Sequence, residues 1–230
     1  MTKMKKKADH LRSIETAIVE LALLEDRTRA PNPIPHQYIG TIVDNTLGLL
    51  TASANSLDNG VRIVTFSDDK NWLSLMQAVH RSFFSSIHIA IEISFERILE
   101  DRNIQVENKQ QIKLNKELKT FEPIDKKLEA FITKIIKGIP LNFKDKLNAV
   151  LKLTSLSNNE KKKWRKFFIG MTIVRNKVSH SNPTLTQQQQ EDLKQGGLQV
   201  LVSENGNLKA NPRMYKQFAE FSLNFFDLMN

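Results

Sequence analysis

The sequence predicts an all-α protein, a single domain of antiparallel helical-bundle type. Only 8 Gly and 7 Pro interrupt 230 residues, which favours long helices over many short strands. Apolar residues recur at three- and four-residue steps along most of the chain, the period of a helix buried on one face. Hydrophobic residues make up 40% and charged residues 26%, the balance of a folded domain long enough to bury a core.

Lys3 to about Arg27 reads as the first amphipathic helix, with Leu11, Ile14, Ile18, Leu21 and Leu24 or Ala22 on its stripe. Three alternate prolines, Pro31, Pro33 and Pro35, hold an extended loop after it. A second helix follows from about His36 to Ser56, carrying Tyr38, Ile42, Leu47, Leu49 and Leu50; Gly40 and Gly48 suit close packing on a neighbour. Asp58-Asn59-Gly60 is a turn signal, and Val61–Phe66 fits a short strand or an extended linker.

Ser67-Asp68-Asp69 has the capping residue and acids of a helix start. The long helix it opens runs to about Arg102, with Met76, Val79, Phe83, Ile87, Ala90 and Phe95 on its apolar face. A polar, Lys-rich helical stretch (Gln105–Thr120) comes next, then a helix over Ile124–Lys137 and, past Gly138-Ile139-Pro140, another over Phe143–Leu153. Residues 103–155 thus read as a basic helical elaboration on one domain spanning 1–230.

Ser157 and Glu160 have capping-box spacing. The helix they open passes through Trp164, Phe167, Phe168, Met171 and Val174 to Asn182-Pro183. Thr186 caps a short helix that Gly196-Gly197 ends, a weak β-hairpin is expected near 198–209, and Asn211-Pro212 caps a last helix striped by Tyr215, Phe218, Phe221, Phe225 and Leu228.

Charge narrows the partners. The net charge is +9 and the isoelectric point is near 9.6, which suggests an anionic partner, nucleic acid first and an acidic protein or membrane surface behind it. The excess is local: from Asp101 to His180 there are 19 Lys and Arg against 8 Asp and Glu, a net +11. The absence of Cys rules out a disulfide framework, a cysteine nucleophile and a thiolate zinc site. No apolar run approaches the roughly 20 residues needed to span a bilayer, and the basic Met1–Lys7 is not followed by a signal core. A cytoplasmic protein with no membrane partner is expected.

The chemistry concentrates in Arg175-Asn176-Lys177-Val178-Ser179-His180, where an Arg, an amide and a His come together. At about 100° per residue, Arg175 projects onto the Trp164–Val174 core stripe, whereas Ile169, Ile173, Asn176 and His180 project to the opposite side. A buried Arg needs a partner, and Glu92 and Glu96 on the long helix are the candidates. On that reading Arg175 simply fixes helix register. The same groups also suffice for metal-free RNA cleavage: Arg175 for phosphoryl charge, His180 to move a proton, Asn176 to orient either. A symmetric dimer would bring a second copy of His180, and the Ile169/Ile173 side offers a surface for it.

With Thr172-Ile173-Val174 before it and Ser181-Asn182 after, the hexapeptide resembles the Arg-polar-x-x-x-His motif of HEPN domains. The resemblance implies an all-helical, often dimeric fold and a metal-independent endoribonuclease that needs no cofactor, of the kind found in toxin–antitoxin and phage-defence systems, with RNA as substrate and an antitoxin or defence-system protein as a further partner. It places Arg175, Asn176 and His180 at the catalytic positions, at a dimer interface, with Glu92 and Glu96 on a helix placed like the family's acidic preceding helix. His88, Lys177 and Ser179 are further supporting candidates read from the residues themselves. HEPN toxins paired with a nucleotidyltransferase antitoxin often carry a Tyr two residues after the His. Here that position is Asn182, so regulation through such a Tyr is not implied. The alternative is a non-catalytic HEPN-like RNA-binding or protein-interaction module.

The remaining signals are weaker. His80 and His88 lie two helical turns apart, too far for a helical metal pair, so no metal site is expected. Lys161, Lys162, Lys163, Arg165 and Lys166 surround Trp164 and are candidates to grip an RNA backbone, although Trp164 also fits the core stripe.

Overall fold

Side-chain capping sets several helix ends. In this computed structural model the residues described are 3–29, 31–59, 69–106, 109–118, 120, 126–137, 141–179, 183–198, 200–211 and 213–229. They form ten helices: α1 (Lys3–Ala22), α2 (Glu25–Thr28), α3 (Ile34–Asn59), α4 (Asp69–Asp101), α5 (Lys109–Leu118), α6 (Lys126–Lys137), α7 (Phe143–Leu153), α8 (Asn158–Ser179), α9 (Gln187–Gln195) and α10 (Arg213–Asp227). The described residues are all-α apart from one small hairpin. In it β1 (Leu201–Val202) pairs antiparallel with β2 (Leu208–Lys209), in register Leu201 to Lys209, within the 198–209 stretch expected.

Asn142 caps α7 by accepting from the Asp145 N–H at 3.0 Å. Ser157 and Glu160 form the expected capping box at the start of α8: Glu160 Oε2 accepts from the Ser157 N–H at 2.8 Å, and Ser157 Oγ accepts from the Glu160 N–H at 3.3 Å. The Ser157 hydroxyl and N–H hold the Glu160 carboxyl below its ordinary range. Thr186 and Gln189 repeat the device at α9, and Asn211 Oδ1 accepts from the Arg213 N–H at the start of α10. The expectations for Val61–Phe66, the Ser67-Asp68 cap, Gly138–Pro140, Asn182 and Pro212 lie outside the described residues.

Residues 1–94 with 156–230 form one compact unit, and residues 95–155 form another, so α4 belongs to the first through Ser94 and to the second from Phe95. In the second unit Phe95 faces Phe143 with ring centroids 5.7 Å apart, Lys146 Nζ pairs with Glu96 Oε1 at 2.5 Å, and α5 packs on α6, where Gln111 Nε2 donates to the Ile136 carbonyl at 3.1 Å. The basic 103–155 segment falls within this unit.

In the first unit α3 packs against α1, α2 and α10, while α8 packs against α9 and β2. Aromatic side chains fill the space between: Trp164, Phe167 and Phe168 of α8 meet Phe221 and Phe225 of α10, and Phe83 and Phe84 of α4 meet Tyr215 and Phe218. Two close approaches fix the spacing. A Cβ on Gly40 would meet the Thr28 carbonyl oxygen at 2.8 Å, and one on Gly196 would meet the backbone of Lys166 and Phe167 at 2.8–2.9 Å.

Three expectations change. The first helix ends at Ala22, and after a turn α2 begins at Glu25, which lets Leu24 enter the core and Arg27 reach Asp227 Oδ2 at 2.6 Å. On α3 the buried face runs through His36, Ile39, Val43, Thr46, Leu50 and Ser53, while Leu49 is exposed and Gly48 has nothing packed against it. On α10 the stripe ends at Phe225 and Phe226, leaving Leu228 exposed.

One buried polar pair sits within the aromatic layer. Tyr215 Oη lies 2.6 Å from His80 Nδ1. Burial pushes the His80 pKa down to about 4 and the Tyr215 pKa up. The unfolded chain protonates His80 below its ordinary value of 6.5, whereas the folded protein leaves it neutral until about pH 4. Stability is therefore full above pH 6.5 and falls as pH drops from there toward 4, by up to about 3 kcal/mol. Thermal melts from pH 7.5 to 4.5 should show this decline in the wild type and a shallower one in His80→Gln.

Candidate functional site

The rotation of α8 places the motif. Phe167, Phe168, Met171 and Val174 are at most 1% exposed, so one face of the helix is sealed. The helix then continues unbroken to Ser179, with Arg175 through Ser179 all half-buried. His180, the third member of the expected catalytic set, lies one residue past the described part of α8.

Arg175 is not sealed into the core. Its Nη1 donates to Asn176 Oδ1 at 2.8 Å, so the long side chain reaches round to its neighbour without any loosening of the helix. The expected pairing of Arg175 with Glu92 or Glu96 is not found. Glu96 pairs with Lys146, Glu92 is half-buried on α4, and among the described residues no carboxylate pairs with Arg175. Arg175 Nε is buried without a hydrogen-bond partner among the described residues. An amide leaves the guanidinium with its full charge.

Three polar contacts hold the first part of α4 antiparallel to α8. Arg81 Nε donates to the Val178 carbonyl at 3.1 Å, Ser85 and Ser179 hydroxyl oxygens lie 3.4 Å apart, and His88 Nε2 lies 3.1 Å from Thr172 Oγ1. The Arg81 contact satisfies a carbonyl at the end of α8 that has no intrahelical partner. The Thr172 hydroxyl donates its single proton to the Phe168 carbonyl at 3.1 Å, so toward His88 it accepts, and His88 carries its proton on Nε2. His88 is thus a buried pin between two helices, and Ser179 sits at the last contact before His180.

The basic run divides. Lys162 and Lys163 are exposed and Lys161 and Arg165 half-buried, as an RNA contact needs. Lys166 is not free for that role: it pairs with Asp192 of α9 and holds that carboxyl below its ordinary range. Trp164 packs among Phe167, Phe168 and Phe225, the core alternative for this residue.

Sequence reasoning missed Arg81 and Lys209. They are far apart in the chain and lie in no motif, yet both line a cleft of about 550 Å³ beside Lys177 and Val178. Among the described residues no helix is long and apolar enough to cross a membrane, and no three His, Cys, Asp or Glu side chains gather as a metal site. Neither family models, nor curated proteins, nor solved structures yield a match to this chain.

Replacing Thr172 with Val removes the acceptor of the buried His88 Nε2–H and should cost about 1–3 kcal/mol. Urea unfolding of Thr172→Val and Thr172→Ser measures it, with Ser expected to recover most of the loss.

Proposed function

We propose that the protein is a metal-independent endoribonuclease of HEPN type that works as a homodimer. One observation carries the reading: the Arg175 guanidinium is held by the Asn176 amide and by no carboxylate among the described residues, so its charge remains available to a phosphoryl group. The RNA 2′-hydroxyl attacks the adjacent phosphorus and the bond to the 5′-oxygen breaks, leaving a cyclic 2′,3′-phosphate and a 5′-hydroxyl. Arg175 stabilises the charge that grows on the non-bridging oxygens. His180 accepts or returns the proton, and Asn176 fixes the guanidinium. The copy of His180 from a second protomer divides the acid and base roles.

The surface for that second protomer is apolar. Ile89 and Ile93 on α4 are 50% and 43% exposed, and Ile169 and Ile173 on α8 are half-buried. Each pair has i,i+4 spacing, and the polar contacts above hold the two helices side by side. A toxin–antitoxin or phage-defence role, with a partner protein restraining the activity, goes with this reading through the motif resemblance alone.

In EDTA the wild type should cleave RNA, while Arg175→Ala and His180→Ala should lose at least about 100-fold in rate with unchanged circular dichroism. RNA binding without cleavage by the wild type would make the protein a binding module; an unfolded Arg175→Ala together with no RNA binding would make it a helical interaction protein. Ile89→Glu, on an exposed position, should convert dimer to monomer in light scattering and lower cleavage in parallel.

A further inference from the structure

The cleft beside the motif has a chemistry of its own. Its walls come from the first part of α4, the last turn of α8 and the β2 strand. Arg81, Lys177 and Lys209 line it, and none of its described lining residues is acidic. Among the described residues none of these three cations is in an ion pair, and the single hydrogen bond of Arg81 is the one from Nε to the Val178 carbonyl. That bond leaves the two terminal guanidinium nitrogens for an anion. It also offsets a drawback of the location, since the C-terminal carbonyls of α8 would otherwise repel negative charge.

The cleft is not only cationic. Met76, Val178 and Leu208 give it an apolar wall, Gln77 adds an amide that can both donate and accept, and the rim of the neutral His80 ring reaches it. A volume of about 550 Å³ is far more than a phosphate fills, and it falls in the range of small-molecule sites, roughly 300–1,000 Å³. Three cations near an apolar wall with one amide match a phosphate joined to a ring that carries hydrogen-bonding edges.

We propose that this cleft binds a nucleoside phosphate, with Arg81, Lys177 and Lys209 on the phosphate and the base against the apolar wall. Two sources share that chemistry: a nucleotide of an RNA strand, and a free nucleotide. The strand is favoured by position. Lys177 and Val178 belong to the same helical turn as Arg175 and Asn176, so a strand with one phosphate at Arg175 passes the cleft with a neighbouring unit. The assignment of the strand rests on the ribonuclease reading, whereas the cleft itself does not.

The test is binding of a fluorescein-labelled 2′-O-methyl RNA octamer, which has no free 2′-hydroxyl to react, and of AMP. Both are titrated against wild type, Lys209→Glu, Lys209→Ala and, as a charge control on the second unit, the exposed Lys144→Glu. Lys209→Glu should weaken octamer binding about tenfold or more, Lys209→Ala should lower the slope of log affinity against log salt by about one, and Lys144→Glu should change affinity less than about twofold. AMP binding with the same dependence on Lys209 supports the cleft and identifies a free nucleotide as its ligand. Equal affinities for wild type and Lys209→Glu, an equal loss in Lys144→Glu, or no binding of either probe overturns the proposal. Cleavage assays on the same proteins separate the two readings: Lys209-dependent binding with no wild-type cleavage keeps the cleft and removes the ribonuclease, while cleavage with binding indifferent to Lys209 does the reverse.

Discussion

The rotation of α8 about its own axis decides where Arg175 through Ser179 point. That rotation is set by packing far larger than the motif. Phe167, Phe168, Met171 and Val174 are sealed on one side, and Trp164 is wedged among aromatic rings of α8 and α10 at centroid distances of 5.2–6.3 Å. Turning the helix by one residue would expose several of these rings together, and burying each is worth about 1.5–3 kcal/mol. Against that, the hydrogen bond between Arg175 and Asn176 is a small term, near 1–3 kcal/mol. The core therefore dictates the position, and the polar groups take the arrangement it leaves them. The α4 contacts refine it, fixing the slide of α8 along its neighbour at Thr172, Val178 and Ser179.

Electrostatics follow from this geometry. On α8 the Lys166 charge is neutralised by a carboxylate, that of Asp192. Arg175, Arg81, Lys177 and Lys209 are not, among the described residues. Positive charge that has a partner serves packing. Positive charge held beside an amide or a carbonyl keeps its field, because a dipole orients a cation without cancelling it.

Helices whose ends are set by nearby side chains were legible in the sequence. α7 has the bounds expected of it, and α8 and α9 start where the Ser157/Glu160 box and the Thr186 cap put them. The hexapeptide was legible for the same local reason. What escaped was decided at a distance. The break after Ala22 interrupts no periodicity, since Leu21 and Leu24 are both buried, and it serves an ion pair from Arg27 to a residue 200 positions away. The buried face of α3 was misjudged because apolar residues alone were followed. Thr46 and Ser53 are buried there at no cost in unmet hydrogen bonds, their hydroxyls donating to the Ile42 and Leu49 carbonyls one turn back. At the site, Glu92 and Glu96 were reasonable partners for a core Arg, but a side chain long enough to reach its own neighbour needed neither.

The division of the chain has a consequence for its synthesis. The first unit is built from residues 1–94 and 156–230, and α1 packs on α10. A nascent chain that has completed α4 therefore waits for some 130 further residues before its core can close. At about 5–20 residues per second that is roughly 7–25 s. During this interval the parts of α1, α3 and α4 that pack on α10 have no cover. Residues 95–155 face no such delay, because every helix of that unit is contiguous in the chain. The motif on α8 emerges before α10 does, so the ribosome releases its arginine into the cell before the rings that aim it are in place.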